Sequence, residues 1–316
     1  MSAGRELVDA NASSENRAKD VPLVSVGLPT FNRATSLQRA MDSVLAQDYH
    51  GLELVISDNA SSDLTESLCT DYCARDKRVK YTRQPTNRGA FENFLTVLAQ
   101  STGKYFMWLG DDDWLGQSYI SRCLQVLQSR PDVTLVCGIA KYYESDTLTF
   151  EGVKVDLTQA SPSERVLAYY RQVNDNGTFY GLARRETLIN NPIRNDLGGD
   201  WLLIARLALA GKILTLDDVA ICRSSCGESA DVRSLALSHG MSPRKARHPH
   251  RTIAINVARD IVRQSPSVAH LNMIARLVLA GRSGLIVHRR FVEMENPLGV
   301  LASKVGARLK RSFQHS

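Results

Sequence analysis

From Val21 to Cys137 the chain alternates between short apolar runs and stretches with apolar residues at helical spacing. Val21–Leu28 is an apolar run closed by Pro29, and Leu37, Ala40, Met41, Val44 and Leu45 then recur at i, i+3, i+4, i+7 and i+8. Leu52–Ile56, Val79–Thr82, Tyr105–Leu109 and Val133–Cys137 repeat the apolar run. Helical faces separate them, among them Phe91, Phe94, Leu95, Leu98 and Ala99, and Ile120, Cys123, Leu124 and Leu127. Runs of that length without internal alternation read as strands buried on both faces, and the intervening periodicity reads as amphipathic helix. The expected fold class is α/β: a Rossmann-like, mostly parallel sheet flanked by helices. In such sheets ligands bind outside the C-terminal ends of the strands. Three polar clusters fall there: Thr30 to Arg33, Asp58 to Asp63, and Asp111 to Asp113.

Beyond about residue 140 the pattern is mixed. Tyr142-Tyr143 and Thr178–Ala183 read as strands, and Trp201, Ile204, Ala205, Ala208 and Leu209 as one face of a buried helix. Charge divides the chain more sharply. Residues 233–316 hold 15 Lys/Arg and 3 Asp/Glu, whereas residues 1–232 hold 24 and 30. The organisation expected is a disordered polar tail over 1–20, a catalytic domain over 21–232 and a basic helical C-terminal region over 233–316. Six cysteines without a C-x-x-C spacing read as reduced, mostly buried thiols. The N-terminal segment lacks the apolar run of a leader. No window reaches the ~18 apolar residues of a spanning helix. Trp201–Leu214, the nearest, is interrupted by Arg206 and Lys212. A cytoplasmic location is expected.

Three consecutive carboxylates behind Tyr-Phe-Met-Trp-Leu-Gly repel one another unless a cation sits among them. Carboxylate oxygens with no nearby His or Cys suit Mg2+ or Mn2+, ions that commonly bridge diphosphates. A solvated acidic turn ahead of the next helix is the alternative.

Val24–Asn32 (VSVGLPTFN) with Arg33, Leu54–Asp63 (LVISDNASSD), Asn87-Arg88-Gly89 with Asn93, Gly103–Leu115 (GKYFMWLGDDDWL) and Gly198–Trp201 (GGDW) resemble, in that order, the characteristic segments of family 2 glycosyltransferases. The resemblance runs from about residue 21 to 225 and implies a glycosyltransferase A fold. It places Pro29, Thr30, Phe31, Asn32 and Arg33 at the donor, with Thr30 and Phe31 flanking the nucleobase and Asp58 hydrogen-bonding it. Asn87, Arg88 and Asn93 would wall the base and ribose. Asp112 and Asp113 would hold the metal, with Asp111 toward the ribose. Asp200 would be the general base, and Tyr180, Gly181 and Trp201 would lie on the acceptor side. One departure stands out: Gly110 occupies the slot where many members carry the first Asp of the metal motif. A branch that includes O-antigen abequosyltransferase-like enzymes looks similar there.

The activity so implied is inverting transfer from a nucleoside-diphosphate sugar, a UDP-sugar being expected, to a glycan or lipid-linked acceptor in bacterial surface polysaccharide synthesis. For Asp200 a helix N-cap is the structural alternative, since Gly-Gly precedes it and an apolar helix follows. For Phe179-Tyr180-Gly181 with Arg184-Arg185 the alternative is a buried strand with a solvated arginine pair. A nucleotidylyltransferase would share the sheet but would want a glycine-rich triphosphate loop, which Val26–Arg33 is not. A non-catalytic scaffold that binds sugar nucleotide is the remaining alternative.

In the C-terminal region Leu298, Val300, Leu301, Val305, Leu309 and Phe313 interleave with Lys304, Arg308, Lys310 and Arg311. This suits a helix at an anionic membrane surface, or one packed on the catalytic domain or a second subunit. Arg244–His250 is basic but carries no aromatic residues for base stacking, so nucleic acid is not an expected partner.

Overall fold

The structure is a computed structural model describing residues 21–175, 177–225, 232–238, 241–263 and 271–293. The tail 1–20, Cys226 and the stripe from Leu298 to Phe313 lie outside the described residues.

A nine-stranded sheet forms the centre. Its strands are β1 (Val24–Thr30), β2 (Leu52–Asp58), β3 (Val79–Arg83), β4 (Tyr105–Trp108), β5 (Trp114–Leu115), β6 (Val133–Glu144), β7 (Thr147–Glu151), β8 (Leu182–Arg184) and β9 (Lys212–Ser224), in the order β3-β2-β1-β4-β8-β6-β9-β5 with β7 on β6. Six strands run one way; β5, β7 and β8 run the other. The mostly parallel, helix-flanked sheet read from the sequence is therefore the architecture observed. The first four strands alternate with α1 (Ala34–Leu45), α2 (Thr65–Arg75) and α3 (Ala90–Gln100), and α4 (Tyr119–Ser129) precedes β6. The helices that follow are α5 (Pro162–Gln172), α6 (Arg185–Asn190), α7 (Gly199–Ala210), α8 (Val232–Ser238), α9 (Pro243–Ala246), α10 (Pro249–Val262) and α11 (Met273–Val287), which continues into a π turn, His288–Val292.

Strand alternation sorts the core into two layers. On β4, Tyr105 and Met107 join Leu109 in packing with α1 and α4, whereas Phe106 and Trp108 pack with α3, α5 and α7. Residues buried on both sides explain why these strands read as continuous apolar runs. Helix α7 is buried at every position from Gly199 to Leu209 except Asp200, as an all-round apolar helix must be. Among the described residues no helix is long and apolar enough to cross a membrane. The described helices of the basic region pack into the same core as α7, through Ala236, Ala246, Ile253, Val257, Leu279 and Val287.

One local reading changes. Thr178–Ala183 is not a single strand: Gly177–Tyr180 forms a 3-10 turn and only Leu182–Arg184 joins the sheet. Trp108 on β4 stacks on Phe179 with centroids 5.1 Å apart, and the turn lets that ring lie over the sheet end. Five described cysteines are free thiols, with Cys69, Cys123 and Cys137 buried.

At the strand starts, remote from the polar clusters, Glu53 ties four segments together. It accepts hydrogen bonds from Ser25 Oγ at 2.6 Å and Thr102 N at 2.6 Å, and it pairs with Lys80. Burial opposes ionisation of Glu53, but the hydrogen bonds from Lys80, Ser25 and Thr102 outweigh it and bring the carboxyl down to about 2 from 4.5. A folded-state value below the unfolded one stabilises the fold fully above the unfolded value. That contribution should fade as pH falls from 4.5 toward about 2. Glu53→Gln is expected to cost about 1–3 kcal/mol at neutral pH and to flatten the acid limb of a pH–Tm curve. An unchanged acid limb would count against this role.

Candidate active site

The polar clusters meet at the C-terminal ends of β1, β2 and β4. β1 runs out at Thr30 into a turn where Asn32 has φ 52°. Asn32 N donates to Ser61 Oγ at 2.8 Å and Ser62 N donates to Asn32 Oδ1 at 2.8 Å, so the first two loops are laced together. Asp63 Oδ2 accepts from Ala34 N at 3.1 Å and its Oδ1 from Thr65 N at 3.0 Å, holding the starts of α1 and α2. Pro29 and Thr30 are buried, while Phe31 is 40% exposed at the rim.

Asp58 has no exposed surface. Its Oδ1 accepts from Ser61 N at 2.9 Å and its Oδ2 from the Tyr81 hydroxyl at 2.9 Å, with Arg83 Nε 3.8 Å away. It braces the loop from within. Asn59, which the sequence reading passed over, connects the next segment: its Nδ2 donates to Asn87 Oδ1 and its Oδ1 accepts from Arg88 N, both at 2.8 Å. Asn93 is buried, and its Nδ2 donates to Ser57 O at 2.9 Å and Thr30 O at 3.2 Å. Asn87 and Arg88 are exposed, with Arg88 on Glu92 at 3.1 Å.

The three aspartates differ. Asp113 is 2% exposed: its Oδ2 accepts from Arg223 Nε at 3.1 Å and its Oδ1 from Ser224 N at 3.1 Å. Burial pushes its carboxyl up to about 6, against the pull of Arg223 and with repulsion from Asp112 adding to the rise. Asp113 is thus committed to β9, and as a metal ligand it would have to give up these partners. Asp111 and Asp112 keep accessible surface. Burial pushes Asp111 up to about 7; the Thr30 hydroxyl, Arg33 and the Phe31 amide oppose this, and Asp112 adds to it. Arg33 Nε lies 4.0 Å from Asp111 Oδ1. The Gly110 departure has a steric cause: a Cβ there would stand 2.8 Å from Asp113 Oδ2. Glycine lets the Asp113 side chain fold beneath the strand end.

Asp200 lies on the wall of a cavity of about 560 Å³ beside this cluster. It sits in the first turn of α7 and is not the N-cap. Gly198 is the N-cap, in the left-handed region with φ 79°. A Cβ on Gly199 would fall 2.2 Å from Arg194 O, so the chain can approach itself here only without a side chain. Tyr180, Trp201, Phe91, Phe94 and Phe179 also line the cavity. Gly181 does not; it is packed against Leu135 and Val136 of β6. The arginine pair is structural: Arg184 reaches Leu127 O at 2.5 Å and Arg185 reaches Ser101 Oγ at 2.8 Å.

Arg223, absent from the sequence reading, joins the two halves. It lines the cavity, holds Asp113, lies 4.4 Å from the Tyr180 ring centroid and reaches the Tyr180 hydroxyl at 3.3 Å and the Tyr142 hydroxyl at 3.2 Å. A lone arginine in a 13-residue strand carries no motif. The only signal available was a cation following the apolar Val219–Cys222 stretch.

The loop before Asp200 is carried by α10. Ile253 packs on Gly198, Asn256 Nδ2 donates to Leu197 O at 3.1 Å, and Asp260 lies 3.4 Å from Arg194 Nε and 3.3 Å from Arg206 Nε. Positions 253, 256 and 260 share one face of the helix.

A mostly parallel sheet with an acidic cluster at its C-terminal edge and a cavity beside it defines an α/β protein of the kind that binds its ligand at the strand ends. Residues 25–191 match the sequence model of Glycosyl transferase family 2, and the chain belongs to that family. It is 37% identical over 106 residues to the GalNAc(5)-diNAcBac-PP-undecaprenol beta-1,3-glucosyltransferase of Campylobacter jejuni, a match covering 33% of this chain and 34% of that protein. The chain therefore spans about a third of the length of that curated relative. Its fold is similar to that of S. aureus TarS 1-349 in complex with UDP-GlcNAc, with TM-score 0.61, 18% identity and coverage of 85% of this chain and 73% of that one. It is also similar to the mannosyltransferase PcManGT of Pyrobaculum calidifontis in complex with GDP-Man and Mn2+, with TM-score 0.54, 16% identity and coverage of 91% and 80%.

Proposed function

We propose that this chain transfers a sugar from a nucleoside-diphosphate sugar to a hydroxyl of a glycan or lipid-linked acceptor, with inversion. The observation that carries the proposal is the placement of Asp200 on a cavity wall beside the strand-end aspartates in a chain of this family. The donor-side loops supply Phe31 at the rim; the Asn59–Asn87 hydrogen bond and the bonds from Asn93 to Ser57 O and Thr30 O brace the wall of the nucleoside site. Asp58 acts through the loop it braces.

A divalent cation, Mg2+ or Mn2+, fits this donor set: two accessible carboxylates, Asp111 and Asp112, with burial and the charge of Asp112 already disfavouring uncompensated charge on Asp111. An ion held by Asp111 and Asp112 would supply Lewis-acid stabilisation of the departing diphosphate. Asp113 serves as the anchor of that loop. Asp200 takes the proton of the acceptor hydroxyl as its oxygen attacks the anomeric carbon. Single displacement inverts that centre. Trp201 and Tyr180 position the acceptor. A UDP-sugar donor and a lipid-linked acceptor are supported by the TarS and Campylobacter likenesses. A lipid-linked acceptor and the basic C-terminal region together support a peripheral position at the inner face of the membrane.

The test is a thermal-shift titration with UDP and GDP, with and without Mn2+. Ligand at ~100 times its dissociation constant adds about 2.7 kcal/mol of stability. One diphosphate should stabilise only with the ion, and Asp112→Asn should remove the effect. No stabilisation by either nucleotide would overturn the donor site.

A further inference from the structure

Helix α11 is apolar on the side that faces the protein and also on the side that does not. Leu279, Ala280, Ser283 and Val287 are buried against α10 and α5, and a Cβ on Gly284 would stand 3.3 Å from Ala254 O of α10. Opposite them Ile274 is 75% exposed, Leu277 and Val278 are each 55% exposed, and Leu285 is 47% exposed. With Gly281 these positions follow the i, i+3, i+4, i+7, i+11 spacing and fall within an arc of about 100°. Arg282 flanks the stripe, and His288 and Arg289 stand exposed where the helix ends. A run of large aliphatic side chains left in water on one helix face marks a contact surface.

Charge identifies the partner. The described residues of α10, α11 and the π turn, 249–263 and 271–293, contain seven arginines and two acids. One of the acids, Asp260, is buried between Arg194 and Arg206, which leaves Glu293 as the only exposed one. On α10 the exposed positions Arg251, Ile255 and Arg259 repeat the same combination of aliphatic and cation at i, i+4, i+8. The 23 residues that follow, 294–316, add Lys304, Arg308, Lys310 and Arg311 against Glu295. An aliphatic face edged by arginines fits an anionic bilayer: the stripe enters the acyl boundary while the guanidinium groups stay at the phosphates.

We propose that the outer face of α11 is the membrane-docking surface of this protein, binding anionic lipid bilayers through Ile274, Leu277, Val278 and Leu285 with Arg289 at the headgroups, Arg282 being paired with Glu164 of α5 at 3.3 Å. It deepens the peripheral placement proposed above and assigns it to a described helix. Its failure would leave the donor site untouched.

Sedimentation of the full chain with vesicles of phosphatidylcholine, alone or mixed with phosphatidylglycerol, tests it. The wild type should sediment with the mixed vesicles, weakly with the neutral ones, and less as salt is raised. Ile274→Glu combined with Leu277→Glu should weaken binding to mixed vesicles at least about tenfold. Its thermal shift with nucleoside diphosphate should match the wild type, which establishes that the variant is folded. The inference is overturned if the wild type binds neither vesicle, if it binds both equally, or if the double variant binds like the wild type. It is also overturned if the wild type is a dimer that the double variant splits while vesicle binding stays the same.

Discussion

Asp200→Asn is expected to lower transfer turnover by roughly 10²–10⁴-fold while leaving nucleotide-sugar affinity unchanged. The asparagine is close in size and preserves the first turn of α7, so the cavity wall survives the change. What it removes is the ability to accept a proton. A carboxylate in the first turn of a helix is stabilised as the anion by the helix dipole. Transfer then depends on an acceptor hydroxyl delivered at short range to that carboxylate. The measurement is steady-state transfer alongside donor titration by thermal shift. Turnover near that of the wild type would mean that another group accepts the proton. Loss of donor affinity with turnover per bound donor intact would mean that Asp200 only shapes the cavity.

Asp260→Ala is expected to destabilise the protein by about 3–5 kcal/mol. The carboxylate is 4% exposed and stands between Arg206, 3% exposed, and Arg194. Truncating it leaves the Arg206 guanidinium buried, with Pro192 O at 2.6 Å and Leu202 O at 3.2 Å as its remaining named acceptors. Uncompensated buried charge costs far more than the intact pair contributes. Denaturant midpoints measure the effect, and Asp260→Asn, which keeps an acceptor, should lose less. A loss within ~0.5 kcal/mol, the range of ordinary surface substitutions, would show that the loop before Asp200 does not depend on this contact.

Much of the strand-end half of the site was legible because its strands are buried on both faces. The apolar runs ending at Leu28, Ile56 and Leu109 announce β1, β2 and β4, and the polar residues after each run mark the sheet edge where they gather. The half around the cavity was less legible. Gly177–Tyr180 carries strand-like side chains, yet stacking of Phe179 on Trp108 favours a 3-10 turn, a tertiary preference that local propensity does not encode. β5 and β7 hold two and five residues, too few for periodicity to register. Arg223 and Asp260 owe their roles to partners 110 and 54 or more positions away. Asp113 was readable as part of an acidic cluster, but its commitment to Arg223 was not, because a run of identical residues does not reveal which member faces inward.

The Asp113–Arg223 pair crosses a boundary of another kind. The stretch that matches the family ends at residue 191, whereas Asp200, Arg223 and the α10 residues that hold the loop before Asp200 all lie beyond it. Arg223 lies outside the matched stretch yet holds three positions inside it, Asp113, Tyr142 and Tyr180. Losing that one guanidinium would therefore release a carboxylate and two hydroxyls of the matched stretch together.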